Sequence, residues 1–490
     1  MTNKKFKLAA MSLATAVAVS TVGPSASAVT YYLGNGDITV DQDDTRGAFS
    51  YQGEDQGDKN RTYVNEDKAD KGTIYVKDGN APKEEVPSTT DNSNNGTEVP
   101  TPTDHTTDSS ADNTKNSSTS ETTTTNTITV KEDVKDATIV VDGVNVDTTS
   151  TPTEVPADTK EDKTIIKVGE GADVDLTVRD SNLTTGGNGI DIGVNLEGED
   201  ENKETNVDLT LDNTEINLTE NATAGINARD NSDVDITLKG DNTIDGSEAI
   251  DKVTKDGEHD ISEDNVNIEG IRVGGEGASD SSDANEGANT KLTISGGVEK
   301  TETAETDTEE TESSAGGSLT ISDTTGGLVM ADGSDVEITD GADVTIEETK
   351  TSGSTQAGRG VTQHGDLTIS GDSSLKIDGV EDNAKQASHT GIGIASWDDI
   401  TVEDGSTLEI SDATTGIYGH QGSDASLTVE DSALNIAGSS FGIDYEGAGK
   451  DKEGKCTQIC RGYHVRQCRS RYQYYPGNPE CRRLWHCRPR

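Results

Sequence analysis

A short apolar–polar–apolar triplet, flanked by Asp, Asn, Gly or Ser, recurs along most of this chain and constrains its fold more than any other feature. The intervals between successive triplets are 33, 27, 56, 27, 17, 31, 33 and 27 residues, so most lie between 27 and 33 or near twice 28. A repeat of this length indicates a stacked architecture. The triplets begin at Leu176, Leu209, Ile236, Leu292, Leu319, Val336, Leu367, Ile400 and Leu427.

Two more short apolar segments follow the triplet in many repeats. The second alternates in the same way, as at residues 216–218 and 408–410, and the third begins with Gly, as at residues 225–226 and 416–417. Because successive side chains of a strand point to opposite faces, the outer residues of a triplet face inward and the middle one faces solvent. Three strands per repeat, joined by Gly, Asp and Ser corners, predict an all-β fold, a right-handed parallel β-helix, or solenoid.

The composition suits a thin aliphatic core. Aromatic residues make up 3% of the chain and the hydrophobic set 29%, which argues against one large globular core. The net charge of −53 argues against a nucleic-acid partner, since binding a phosphate backbone needs clustered Lys and Arg. High charge with few aromatics is also typical of disordered chains, but regularly spaced aliphatic triplets are not.

The beginning of the chain predicts export. Residues 1–28 combine a basic start (Lys4, Lys5, Lys7), an apolar stretch and a final small-x-small pattern, as a signal peptide does. No later run of about 20 apolar residues occurs, so we expect no transmembrane segment in the mature chain. These features predict a secreted, extracellular protein, with cell-wall association as an open alternative.

Composition divides the remaining chain into four segments. Residues 29–80 predict a short N-terminal β module or cap, and residues 81–126 form a low-complexity Thr/Ser/Asn/Asp/Pro linker that cannot bury apolar surface and is expected to be disordered. Residues 127–449 are the predicted β-helix repeat domain, with insertions at 251–262 and 296–317 that leave the coil.

The last segment, residues 450–490, differs from the rest because it holds all five Cys and a net charge of +8 (11 Lys+Arg against 3 Asp+Glu). A disulfide or metal knot and a basic patch for anionic wall polymers are two interpretations. A third is that a frameshift near Lys455 put this tail out of frame, because reading its codons one base later restores Thr, Ile, Asn, Gly and Val.

The most regular surface feature is a Thr in the middle of the triplet. If these Thr stack in a ladder on one flat face, they form a polar platform for a carbohydrate, although β-propensity alone also favours Thr there. The eight residues are Thr177, Thr210, Thr237, Thr293, Thr320, Thr368, Thr401 and Thr428.

Two further patterns concern cations and catalysis. Residues 186–191 approximate a Gly-Gly-x-Gly-x-Asp calcium-binding repeat, which makes Asp191 a candidate Ca²⁺ ligand, but the motif occurs once and works by stacking. Diffuse Ca²⁺ binding by many outward carboxylates is the alternative. Residues 397–399 (Trp-Asp-Asp) and 364–365 (His-Gly) resemble elements of pectin-cleaving β-helix hydrolases, whose Arg-x-Lys clamp has no counterpart here; a corner turn is the simpler interpretation.

The signal peptide, the Thr/Ser-rich stalk and the Leu-Thr-Ile/Val repeats over residues 127–445 resemble adhesin-like, carbohydrate-binding β-helix proteins on the surface of Gram-positive gut bacteria. The resemblance implies a non-enzymatic protein that binds glycans, host surfaces or cell-envelope polymers. A wall-sorting Leu-Pro-x-Thr-Gly motif, frequent in such proteins, does not occur in this sequence. The alternative is a polysaccharide-degrading enzyme on the same fold.

Overall fold

Strands and tight corners account for nearly all of the chain that the computed structural model describes. The described residues are 29–35, 37–42, 49–51, 61–63, 73–78, 123–149, 163–196, 203–219, 222–250, 267–275, 289–297, 316–350, 358–380, 391–420, 425–439 and 441–445. The predicted signal peptide, almost all of the predicted linker, the insertion at 251–262 and the tail at 450–490 lie outside these residues. No helix within the described ranges is long and apolar enough to cross a membrane.

The described residues contain 33 short strands, one 3-10 turn at Leu33–Asn35 and one helical turn at 247–250. In chain order the strands are β1 (Val29–Tyr32), β2 (Ile38–Gln42), β3 (Phe49–Tyr51), β4 (Arg61–Tyr63), β5 (Ile74–Lys77), β6 (Ile128–Val130), β7 (Ala137–Asp142), β8 (Asn145–Asp147), β9 (Ile166–Gly169), β10 (Asp173–Arg179), β11 (Asn182–Thr185), β12 (Ile190–Val194), β13 (Thr205–Asp212), β14 (Glu215–Leu218), β15 (Ala224–Ala228), β16 (Ser232–Lys239), β17 (Asp241–Asp245), β18 (Glu269–Val273), β19 (Lys291–Gly296), β20 (Ser318–Ser322), β21 (Gly326–Met330), β22 (Asp335–Thr339), β23 (Asp343–Glu347), β24 (Arg359–Gln363), β25 (Leu367–Ile369), β26 (Ser374–Asp378), β27 (Ile392–Ser396), β28 (Ile400–Val402), β29 (Thr407–Ser411), β30 (Thr415–Gly419), β31 (Leu427–Val429), β32 (Ala433–Ala437) and β33 (Phe441–Tyr445).

The strands form three long sheets, and from β7 to β33 each turn of the coil contributes one strand to each sheet. Sheet 1 has 11 strands in the order β1-β5-β7-β10-β13-β16-β19-β22-β25-β28-β31. Sheet 2 has nine, from β8 through every third strand to β32, and sheet 3 has 13, from β4 to β33. All pairings between successive turns are parallel, which confirms the predicted parallel β-helix.

The alternation of the triplets produces the core. In β25 and β28 the two outer residues are buried and the middle Thr is partly exposed, as predicted. Aliphatic side chains from the three sheets meet along the axis in one continuous cluster that runs from Leu33 to Ile436. Each buried Val, Leu or Ile contributes about 1.5–3 kcal/mol, so this narrow stack holds the coil together.

A column of glycines lies where sheet 3 approaches sheet 2. A Cβ on Gly393 would lie 2.6 Å from Cγ2 of Ile410, and one on Gly360 would lie 2.5 Å from Cγ2 of Ile377. The same contact recurs between Gly225 and the isoleucine of β17. Gly225, Gly360 and Gly393 are therefore required by close packing against an isoleucine, not by a positive φ.

The N-terminal segment is continuous with the coil. β1 and β5 pair in parallel within sheet 1, and β2 pairs with β6 in sheet 3. Beyond β2, strands β3 and β4 add to sheet 3 in antiparallel fashion. Strands β1, β2 and β5 thus extend the coil at its N-terminal end, and β3 and β4 form the edge of sheet 3 there.

One strand assignment from the sequence is wrong. The triplet that begins at Leu319 belongs to β20 in sheet 2, where it pairs with β17 and β23, whereas the other eight triplets lie in sheet 1. The long segment between β19 and β20 separates two strands of the same turn. This insertion explains the irregular intervals of 27 and 17 residues.

Candidate functional site

Three rings stack in register at the corner that follows sheet 3. His364, Trp397 and His420 directly follow β24, β27 and β30, whose last residues pair with one another. The ring centroids of His364 and Trp397 are 4.0 Å apart, and those of Trp397 and His420 are 4.8 Å apart, with interplanar angles of 15° and 20°. We call these three residues the ring column.

Two more side chains border the ring column. The guanidinium carbon of Arg359 lies 6.0 Å from the centroid of the Trp397 ring, within the range of a cation–π interaction. Tyr418 meets His420 edge to face, with centroids 6.2 Å apart. Since both faces of the indole are covered by imidazoles, the column presents ring edges, and with them N–H groups, to a ligand.

Three carboxylates gather immediately beside the rings. One oxygen from each of Asp366, Asp398 and Asp399 lies within 4.8 Å of the others. We call these residues the carboxylate cluster. The parallel register brings them together, because β25 and β28 pair in sheet 1 and the Asp residues occupy the corners just before these strands.

The buried side chain of Gln363 fixes the backbone of this corner. Its side chain is fully buried, and its amide nitrogen donates to the carbonyl oxygens of Gly365 and Asp399, both at 2.7 Å. The carboxylate of Asp399 accepts hydrogen bonds from the backbone nitrogen and the hydroxyl of Ser426, at 3.1 and 2.7 Å. The corner is therefore pre-organised across three turns of the coil.

Two members of the carboxylate cluster, Asp366 and Asp398, have a pKa raised above the usual value. Burial, followed by the charges of Asp335 and Asp399, raises the pKa of Asp366. Burial and the charge of Asp366 raise the pKa of Asp398. Chemically, such a group of oxygens could bind a divalent cation, accept hydrogen bonds from sugar hydroxyls or donate a proton.

The predicted Thr ladder is divided between two columns and a second sheet. Thr177, Thr210 and Thr237 stack in register, and Ser295 follows them. Thr293, Thr368, Thr401 and Thr428 belong to the neighbouring column of sheet 1, two residues earlier along each strand, with Glu337 between the first two. Thr320 lies in sheet 2, between Thr243 and Thr345, so the expectation of one eight-residue ladder on one face is wrong.

In the early turns, Asp residues occupy the column beside Thr177, Thr210 and Thr237. Asp175, Asp208 and Asp235 are in register on neighbouring strands. Burial, together with the charges of Asp175 and Asp235, raises the pKa of Asp208 to about 6. This part of sheet 1 therefore presents stacked carboxylates next to stacked hydroxyls.

Asp191 has a structural environment that leaves no capacity for a cation. Its side chain is 2% exposed, and Arg229 donates to both of its oxygens at 2.9 Å. The side-chain amides of Asn188 and Asn227 donate to the same carboxylate at 2.9 and 2.8 Å. The prediction of Asp191 as a calcium ligand is therefore corrected: a guanidinium already supplies the positive charge.

The structure brings the two hydrolase-like elements, residues 364–365 and 397–399, into one corner. Their positions in the sequence did not predict this proximity. Arg359 and His420 were missed. A signal for His420 existed, because the residue directly after the third segment occupies the same place in successive turns, and three of those residues carry rings. Comparison with family models, with curated proteins and with solved structures finds no match.

Proposed function

We propose that this protein is a secreted, non-enzymatic surface protein whose β-helix rod binds glycans of a host surface or cell envelope. The observation that carries the proposal is the ring column beside the carboxylate cluster. N–H donors at ring edges and carboxylate acceptors are complementary to sugar hydroxyls, which both donate and accept hydrogen bonds. The column runs along the rod over three turns, as a site for an extended polymer requires.

Binding to a glycan array tests this proposal. We expect the purified chain to retain at least one glycan and the Trp397→Ala variant to lose that retention, because the two imidazoles lose the ring that spaces them. Tyr75→Ala is the matched control, since Tyr75 is a ring on sheet 1 near the beginning of the coil. Equal retention by Trp397→Ala and the wild type would contradict the proposal.

The second candidate function is a polysaccharide-degrading enzyme, favoured by one observation. Glycoside hydrolysis uses two carboxylic groups, about 5–9.5 Å apart depending on mechanism, of which one must hold a proton. The three oxygens within 4.8 Å of one another approach the first requirement. The raised pKa of Asp366 and of Asp398 shifts both groups in the direction of the second. Binding remains the preferred function because the array of rings extends beyond these carboxylates.

Zymography on pectins and host glycans separates the two functions. Retention without product release supports the binding protein. Product release that disappears in Asp398→Asn would establish the enzyme instead. The predicted export is tested separately, by N-terminal sequencing of the chain recovered from culture medium, which should begin at Val29.

A further inference from the structure

A polar cavity lies where three neighbouring strands of sheet 1 begin. It has a volume of about 300 Å³ and is lined by Glu204, Asn231, Asp233, Asn289 and Lys291. These residues are at the starts of β13, β16 and β19 or immediately before them. The cavity is separate from the ring column and was not predicted from the sequence.

The parallel register assembles the cavity from distant parts of the chain. Thr205 pairs with Ser232, which places Glu204 and Asn231 on neighbouring turns. Asp233 pairs directly with Lys291, although 58 residues separate them in sequence. A carboxylate and an ammonium group thus lie side by side at the cavity, each on a rigid strand.

Asp233 carries an unsatisfied acceptor. Its Oδ1 atom is buried and has no hydrogen-bond partner among the described residues. Burial raises the pKa of Asp233, and the charge of Lys291 opposes that rise. A buried acceptor without a donor is unfavourable, and a ligand hydroxyl would supply the missing donor.

The lining determines the class of ligand. Lys291 and the amides of Asn231 and Asn289 are donors, whereas Glu204, Asp233 and the amide oxygens are acceptors. Hydroxyl groups match such a mixture because each one donates and accepts. About 300 Å³ is at the lower end of small-molecule sites, which suits a single sugar ring.

Charge excludes one kind of sugar. Two carboxylates and one ammonium group leave the cavity with a net negative charge, and residues 29–449 carry 26 Lys+Arg against 90 Asp+Glu. A uronic or sialic acid would be repelled by this field, whereas a neutral sugar would not.

We propose that this cavity binds one neutral sugar residue of a glycan, with Asp233 accepting a hydrogen bond from a sugar hydroxyl and Lys291 donating one. The inference rests on the proposed glycan-binding function and specifies its ligand class. The cavity and the carboxylate cluster lie on the edge of sheet 1 where its strands begin, three strand spacings apart along β16-β19-β22-β25, or roughly 14 Å. A short oligosaccharide along this edge of the rod would contact both.

Saturation-transfer NMR on the full chain tests the inference, with methyl glucoside, methyl galactoside and methyl galacturonide as probes. At least one neutral glycoside should bind, and more tightly than the galacturonide. Asp233→Asn, which removes the charge of the acceptor, and Lys291→Ala, which removes a charged donor, should each weaken that binding about tenfold. Asp173→Asn is the matched control, because Asp173 has the same register position two turns earlier and does not line the cavity.

Several results would overturn the inference: no binding of either neutral probe, stronger binding of the galacturonide, or wild-type affinity in Asp233→Asn. Thermal melting of each variant confirms that the coil is intact. If Trp397→Ala abolishes glycan-array retention while Asp233→Asn binds the monosaccharides as the wild type does, the cavity assignment fails and the proposed function stands. If no glycan is retained at all, both fail.

Discussion

At the scale of single residues, two of the few arginines neutralise buried acids of sheet 3. Arg229 engages Asp191, and Arg272 engages Glu269, with a nitrogen–oxygen distance of 2.6 Å. Asp191 and Glu269 are 2% and 3% exposed. A buried carboxylate without a partner would be strongly unfavourable, so each arginine makes an acidic residue tolerable at its position.

The Asp191→Asn substitution should therefore weaken the coil. An amide keeps the shape of the carboxylate but loses its charge-assisted bonds, so we expect about 2 kcal/mol of destabilisation. The midpoint of urea unfolding, followed by circular dichroism, measures this effect. Asp175→Asn, which changes a carboxylate of the sheet 1 column, should leave the midpoint unchanged or raise it; an equal loss in both variants would argue against the role of the salt bridge.

The stacked carboxylates of sheet 1 predict a pH dependence. The pKa of Asp208 is raised to about 6 from a usual value of 3.8, so the folded coil binds more protons than the unfolded chain between these values. Stability should then increase as pH falls from 6 towards 4, by under about 1 kcal/mol for this partly solvated group. Asp208→Asn should flatten that part of the curve and raise the melting temperature at pH 7. A steeper curve in the variant would contradict this assignment.

At the scale of strands, the glycine column determines how closely sheets 2 and 3 approach. A methyl group on Gly393 would meet Ile410 at 2.6 Å and the carbonyl oxygen of Gly416 at 2.5 Å. Neither the backbone of β30 nor a buried isoleucine moves cheaply in a close-packed core.

Gly393→Ala should consequently destabilise the coil by about 1–3 kcal/mol, the usual cost of overpacking. Gly442→Ala is the internal control, because Gly442 belongs to the same series and no atom of the described residues lies within 4 Å of its added Cβ. The two urea midpoints should differ by that amount. If they agree, close packing does not explain the glycines.

The strands also show how far the sequence could predict this molecule. The fold, the inward residues of each triplet and the Gly-opened third segment follow from alternation and spacing, which local physics dictates. The register between strands does not follow from alternation and spacing. β10 contains two triplets in one strand, and a shift of two residues keeps every side chain on the same face, so the pattern cannot reveal which triplet aligns with which.

The same limitation explains the outcome at the site. The assumption of one Thr per turn in one column failed because Thr293 aligns with Asp235, not with Thr237. The ring column and the carboxylate cluster depend on register across three turns, so only His364, Trp397 and the acids beside them were visible as motifs. His420 can be recognised as part of the site only from its stacking on Trp397.

At the scale of the whole molecule, charge opposes the coil. Carboxylates in register lie about 4.8 Å apart, and divalent cations relieve their repulsion. We therefore expect millimolar Ca²⁺ to raise the melting temperature more than NaCl of equal ionic strength does. Differential scanning calorimetry measures the difference, and no shift beyond that of NaCl would exclude the diffuse binding of Ca²⁺.

The chain length between paired strands varies widely, although the strands themselves remain in register. Leu427 pairs with a residue 27 positions earlier, whereas Ser318 pairs with Asp241 across 77 residues. Closing a longer loop costs more conformational entropy, and this cost precedes the contacts that stabilise the strand pair. The strand pairs of the final turns should thus form early during refolding and those of the middle turn late. The turns of a regular coil would then fold at different rates.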